Sequence, residues 1–139
     1  MSYKDDVYKN VREYCISHYE LLDNNDFVLG SAMFNCKCHM NAVQKIKEGK
    51  AKNVYLCVAW DKDDKQPCIH FINTTFDEKY QDNTWGWIYK INRYYLIKQV
   101  SEKEYDYIWN VLMNTKRSIF KLNSNRFKNF LHKLDENII

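Results

Sequence analysis

Proline occurs once in this chain of 139 residues, as Pro67, and glycine three times. So few backbone breakers exclude collagen-like and proline-rich linker chains, and no low-complexity segment is present. No run of about 18 apolar residues occurs, so no membrane-spanning helix is expected. The opening Met1-Ser2-Tyr3-Lys4-Asp5-Asp6 has no apolar stretch behind a basic one, so no secretory leader is expected either. Charge of one sign is also scarce, the net value being only +3. Cysteines number five, at 15, 36, 38, 57 and 68. An odd count in a chain of this size speaks against a disulfide framework, and free thiols in a reducing compartment, the cytoplasm, are the expectation.

Aromatic residues are plentiful, with eleven Tyr, seven Phe and four Trp, and the length suits one domain, residues 1–139, with a core of its own. Basic residues gather only near the end, at Lys116, Arg117, Lys121, Arg126, Lys128 and Lys133, against Asp135 and Glu136. Such a cluster suits nucleic acid or an acidic partner, but a cluster this modest is expected to be the solvated face of terminal helices. Trp85, Trp87, Tyr89, Tyr94 and Tyr95 resemble a base-stacking platform, yet only Lys90 and Arg93 interleave with them. Core and groove lining is expected there, and nucleic acid is not an expected partner.

Apolar residues at helical spacing (Val7, Val11, Tyr14, Cys15, His18, Leu22) predict a first helix from Tyr3 to about Leu22, ended by Asp23-Asn24-Asn25-Asp26. Phe27 to Phe34 reads as a buried approach to a second helix that starts at Cys38, carries Ala42, Val43 and Ile46, and stops at Gly49. The period then becomes that of strands. Asn53–Trp60 and Pro67–Asn73 predict a hairpin about the polar turn 61–66, with Cys57 and Cys68 in its core. Further strands are expected near Lys79–Asp82, Trp85–Ile91 and Tyr94–Val100, the last two joined at Asn92-Arg93. Ser101 with Glu104 forms a capping box for a helix bearing Tyr105, Ile108, Trp109, Leu112 and Met113. A last helix is predicted from Ser124 to Leu134 with Phe127, Phe130 and Leu131 inward. The class is therefore α+β: an antiparallel sheet of about five strands packed on the cysteine-bearing helix, with helices flanking it at both ends.

One ordered set of residues points to chemistry. A cysteine attacks as its thiolate, which a helix N-terminus and a histidine both favour, and Cys38 opens a helix. His70 is predicted on a strand, aimed at the helix packed across the sheet, as general base. Asp82, on the neighbouring strand, is placed to hold the second ring nitrogen and fix the tautomer. Backbone N–H groups near Cys38 would hold an oxyanion.

The stretch from Cys38 to Tyr95 resembles the small papain-like cysteine hydrolases and transglutaminase-like proteins of tailed phages and bacteria. The shared pattern reads Cys38-His39-Met40-Asn41-Ala42, then the apolar strand Val54–Ala59, then His70-Phe71, then Asp82-Asn83-Thr84-Trp85. After His70 the chain has Phe71-Ile72 where such proteins more often carry a small residue and Trp, and Asn35 is the nearest upstream amide to an oxyanion. The resemblance implies a minimal papain-like domain with Cys38 as nucleophile, His70 as base and Asp82 as orienter, with Asn41 and Thr84 as pattern residues. It implies a thiol-dependent hydrolase or acyl transferase on an amide or peptide-like bond, with no cofactor and no membrane. Its substrate would be a protein or peptide, a host component if the chain is phage-encoded.

Three other readings compete. Cys38 and His70 could be core residues of a catalytically inactive fold that binds or inhibits a host protein through its basic C-terminal helices. Asp82 before Asn83 also suits turn chemistry alone. Cys36, Cys38 and His39, with Cys15 and His18 at i, i+3 on the first helix, could surround zinc, although Cys-x-Cys-His is not a common zinc spacing.

Overall fold

The computed structural model describes residues 2–63 and 65–134. Asp135 and Glu136, which the sequence sets against the basic cluster, lie outside the described residues. The architecture is α+β. Helix α1 (Tyr3–His18) starts from a reciprocal cap between Ser2 and Asp5 and buries Val7, Val11 and Cys15 completely. Strands β1 (Glu20–Leu21) and β2 (Phe27–Val28) follow, then α2 (Cys38–Lys47), β3 (Asn53–Asp61), β4 (Cys68–Thr74), β5 (Tyr80–Gln81) and β6 (Asn92–Val100). Helices α3 (Ile108–Leu122) and α4 (Arg126–Leu131) close the described chain.

One sheet of six strands runs in the order β1-β6-β3-β4-β5-β2. Its pairs are antiparallel except β2 with β5, which is parallel, so the sheet is mixed rather than purely antiparallel. The expectation of about five antiparallel strands is corrected on this point: residues 85–91 supply no strand, while Glu20–Leu21, read as the end of the first helix, and Phe27–Val28, read as a buried approach, supply one at each edge. Central β3 is covered on both faces, which is why its sequence is a continuous apolar run. One face places Val54, Leu56 and Val58 with Ile69 and Phe71 of β4 beneath the helices; the other places Cys57 and Ala59 with Ile72, Tyr94 and Phe27.

Several local expectations change. The first helix ends at His18 rather than Leu22, because Glu20 and Leu21 pair with Leu96 and Tyr95 of β6. The stretch 85–91 is not a strand: Gly86 takes φ +60 and opens a short 3-10 turn, Gly86–Lys90. Its cause is Asp82, whose Oδ1 accepts the N–H groups of Thr84 and Trp85, both at 2.9 Å, and bends the chain away from the sheet. Asn92 and Arg93 accordingly belong to β6 and pair with Asp61 and Trp60. The Ser101–Glu104 cap forms as expected but opens a 3-10 segment, Glu102–Tyr107, before α3 begins.

Helix α4 reverses its expected orientation. Phe127, Phe130 and Leu131 are 69, 75 and 58% exposed, while Asn129 is buried. Tyr3 donates its hydroxyl to Asn129 Oδ1 at 2.6 Å, and Asn129 Nδ2 donates to Ser124 Oγ at 2.7 Å. A polar anchor therefore holds the helix and turns its apolar side outward.

Candidate active site

Cys38 is the first residue of α2, and its thiol is almost wholly enclosed. Lys37 precedes it without a side-chain cap on the first turn. The opening N–H groups, which have no partner within the helix, therefore carry no side-chain acceptor. Asn73 of β4 pins the helix to the sheet by donating Nδ2 to the Ala42 carbonyl at 3.0 Å.

His70 does not point where strand alternation across a helix-covered sheet was expected to send it. It pairs with Cys57 and lies on the face of Ile72 and Tyr94, opposite the Ile69 and Phe71 face on which α2 packs. Contact with Cys38 is made around the strand edge instead. Strand β5 covers β4 only at Asn73 and Thr74, so the edge from Cys68 to Phe71 is open to the start of α2. There Cys38 and His70 line one cleft with Trp85, and the His70 ring and the main-chain N–H of Phe71 bear on the ionisation of the Cys38 sulfur.

The second ring nitrogen is held as expected. His70 Nε2 donates to Asp82 Oδ2 at 3.0 Å, with both side chains buried, which leaves Nδ1 for the sulfur. Tyr94 donates its hydroxyl to the same Oδ2 at 2.6 Å, while Oδ1 takes the two backbone N–H groups of the turn. All four bonds fix the carboxylate. Trp85 stacks flat on the imidazole, with ring centroids 3.8 Å apart and planes 6° from parallel, and shields the histidine–carboxylate pair from water.

Electrostatics follow from these contacts. Burial is the largest influence on Cys38 and raises it, but the His70 charge and the polar groups of His39, His70 and Phe71 nearby outweigh burial and bring the thiol down to about 6. Burial likewise lowers His70, and the charges of Asp82 and Cys38 outweigh it, lifting the imidazole to about 10. Asp82 is held below the ordinary carboxylate range: burial opposes this, and the His70 charge with the bonds from His70, Trp85 and Tyr94 prevails. Between those limits the site is a thiolate facing an imidazolium. Cys15, which has burial and no cation, is instead pushed up to about 12.

A scan against protein-family models, a search of curated proteins and a search of solved structures each found no match. The site is therefore read from its own geometry.

Asn41 and Thr84 join the two halves of the site. Asn41 Nδ2 donates to Thr84 Oγ1 at 2.9 Å and to the Phe34 carbonyl at 2.8 Å, tying the first turn of α2 to the Asp82 loop. Gly30 permits the same closeness, since a Cβ there would lie 2.1 Å from the Asp82 carbonyl oxygen. Asn83 completes the brace, its Oδ1 accepting Ser31 N–H at 3.0 Å and its Nδ2 donating to Asn73 Oδ1 at 2.9 Å.

A cleft of about 300 Å³ opens on the sulfur, lined by Asn35, Cys36, Cys38, Cys68, His70 and Trp85, with Trp109, Met113 and Lys116 of α3 on its far wall. Asn35 reaches this cleft, but its Oδ1 is engaged by the Cys36 N–H at 3.0 Å. Cys68, expected in the hairpin core, is half-buried at the cleft, whereas Cys57 is fully buried. A wider hollow of about 820 Å³ lies between α1 and the α3–α4 connection, but its walls (Tyr3, Asp6, Asn10, Glu13, Lys128) carry neither thiol nor histidine.

Among the described residues no three His, Cys, Asp or Glu side chains are grouped to hold a metal ion. Cys15 faces the core, while His18 is exposed and its Nδ1 lies 2.8 Å from the Tyr14 carbonyl oxygen. Likewise, no described helix is long and apolar enough to cross a membrane. Sequence reasoning missed two parts of the site: Tyr94 on Asp82 and the Phe71 N–H beside the sulfur. Only Tyr94 left a sequence signal, a polar-tipped residue at an inward position of β6, paired with Ala59.

Proposed function

We propose that the chain is a thiol-dependent hydrolase or acyl transferase acting on an amide or peptide-like bond, built on a minimal papain-like domain. The observation that carries this reading is the buried relay from the Cys38 sulfur through His70 to Asp82. In the resting pair the proton resides on His70. The Cys38 thiolate attacks the carbonyl carbon, and the uncapped N–H groups at the start of α2 face the oxyanion that forms. As the C–N bond breaks, His70 passes its proton to the departing amine and a thioester remains on Cys38. His70, now neutral, takes a proton from water or from an acceptor amine, which attacks the thioester and releases the thiolate. Asp82 keeps the imidazole oriented throughout. The substrate would be a protein or peptide-like chain, a host component if the protein is phage-encoded and acts in host cytoplasm.

A second reading, a binding or inhibitor module, is favoured by the outward Phe127, Phe130 and Leu131 beside the exposed Arg126 and Lys128. Cys38→Ala separates the two. An enzyme loses its effect on a peptide library or host extract while thermal unfolding stays cooperative and near wild type. Retention of the full effect by Cys38→Ala, with its loss on charge reversal at Lys121, Arg126 and Lys128, refutes the enzyme.

A further inference from the structure

Helix α3 carries Trp109, Leu112, Met113, Lys116 and Phe120 at helical spacing, and all five line the cleft that opens on the Cys38 sulfur. One stripe therefore builds one wall. Leu112 and Phe120 are buried at its base, Met113 is half-buried, and Trp109, though packed against the His39 ring at 4.8 Å, stays 51% exposed. At about 300 Å³ the cleft stands at the small end of ligand sites, room for one large side chain rather than a cofactor. No carboxylate stands among the described residues that line it, and Lys116 is the lone lysine or arginine there. A cationic side chain would enter without a counterion.

The two faces of the sheet decide which part of a substrate meets this wall. Helix α3 packs on α2 and β4, on the helix side, whereas His70 and the stacked Trp85 belong to the opposite face. A departing amine takes its proton from His70, so it leaves on the His70 side. There a second hollow of about 250 Å³, lined by Asp61, Ile88 and Asn92, shares Gln66, Cys68 and Trp85 with the first and continues the groove. The acyl half is left facing α3.

We propose that this wall is the acyl subsite: it receives a large apolar side chain, leucine-like or phenylalanine-like, on the residue whose carbonyl Cys38 attacks, and Met113 sets the size it accepts. This rests on the thiol reading of the site and adds a substrate class, an apolar acyl residue in a chain that continues past the bond. Burial of that side chain against Leu112, Met113 and Trp109 supplies binding, and the same contact holds its carbonyl over the sulfur. Met113, half-buried and unbranched, is the wall residue best able to yield to the occupant.

The test uses acetylated amino-acid chloromethyl ketones with Phe, Leu, Ala, Glu or Lys side chains. In each, the ketone stands where the attacked carbonyl would, and the Cys38 sulfur displaces chloride to form a C–S bond. Labelling of Cys38 is followed by peptide mass spectrometry. The Phe and Leu reagents are expected to label wild type at least about tenfold faster than the Ala, Glu or Lys ones. Equal rates, or a fastest Glu or Lys reagent, overturn the proposal. Met113→Trp narrows the cleft and is expected to move the preference from Phe toward Ala by about tenfold. Met113→Ala widens it and is expected to move the preference from Leu toward Phe. Each is a ratio of two reagents on one protein, so a change in thiol reactivity cancels. Wild-type ratios in whichever variant folds overturn the role of Met113. Failure of the underlying thiol reading looks different, because iodoacetamide would then mark wild-type Cys38 no faster than Cys68.

Discussion

Replacing His70 by Gln tests the electrostatic core of the site. Glutamine keeps a donor for Asp82 and most of the volume under Trp85, but it carries no charge. In the native protein the Cys38 thiol falls from its ordinary 9.0 to about 6, a change of three units worth about 4 kcal/mol at about 1.4 kcal/mol per unit. Burial opposes that fall and survives the substitution, and Asp82 then faces the thiol with no cation between them. The Cys38 inflection in His70→Gln is therefore expected above 9. Single-pH rates would understate this. At pH 7 the thiolate fraction drops roughly a hundredfold, but a more basic thiolate is a better nucleophile, with a Brønsted slope of about 0.4–0.5, which returns all but a few-fold of that loss. The full alkylation profile from pH 4 to 10 is the required assay. Its wild-type form follows from the signs: reactivity rises through about 6 as Cys38 ionises. Peptide turnover, once a substrate is found, falls again through about 10 as the lifted His70 loses its proton. A wild-type inflection near 8.5, or one that His70→Gln leaves in place, refutes the reasoning.

Two further outcomes test the surroundings. Gly30→Ala sets a Cβ against the Asp82 main chain, where nothing flexible can yield; the expected loss is about 1–3 kcal/mol by denaturant unfolding, with a raised Cys38 inflection, and native values for both refute the bracing role. Tyr94→Phe leaves Asp82 Oδ2 with His70 alone and is expected to cost about 1–3 kcal/mol at neutral pH. Because the folded Asp82 is held below its ordinary value, its contribution is present above that range and lost as pH falls through the folded one. The gap between Tyr94→Phe and wild type, measured by chemical denaturation from pH 7 to 2, should therefore narrow in acid, and a constant gap refutes the assignment.

Where interactions are local, the sequence and the structure agree closely. The cap at Ser101, the stop at Gly49 and the apolar strand from Asn53 follow from neighbours within a few residues, and each stands at or within a residue of its predicted place. The same holds for the candidate site in part: Cys38 at a helix start and His70 on a strand are statements about local propensity. The order of Cys38, His70 and Asp82 was legible for the same reason.

Tertiary structure decided everything that depends on which surfaces meet. Alternation alone sent His70 toward the helix across the sheet. The open edge of β4 instead lets α2 bring its N-terminus around to the other face, a matter of strand order that no local pattern encodes. Residues 85–91 have the composition of a strand, yet the Asp82 carboxylate captured their first N–H groups and Gly86 turned them away. Apolar spacing on α4 predicted an inner face, and a polar grip between Tyr3 and Asn129, 126 residues apart in sequence, turned it outward. Sequence by itself determined which residues could do thiol chemistry. Only the fold could bring His70 and the Phe71 N–H to one sulfur, because a thiolate is stabilised by groups close to it in space, and closeness is a property of packed surfaces rather than of chain order.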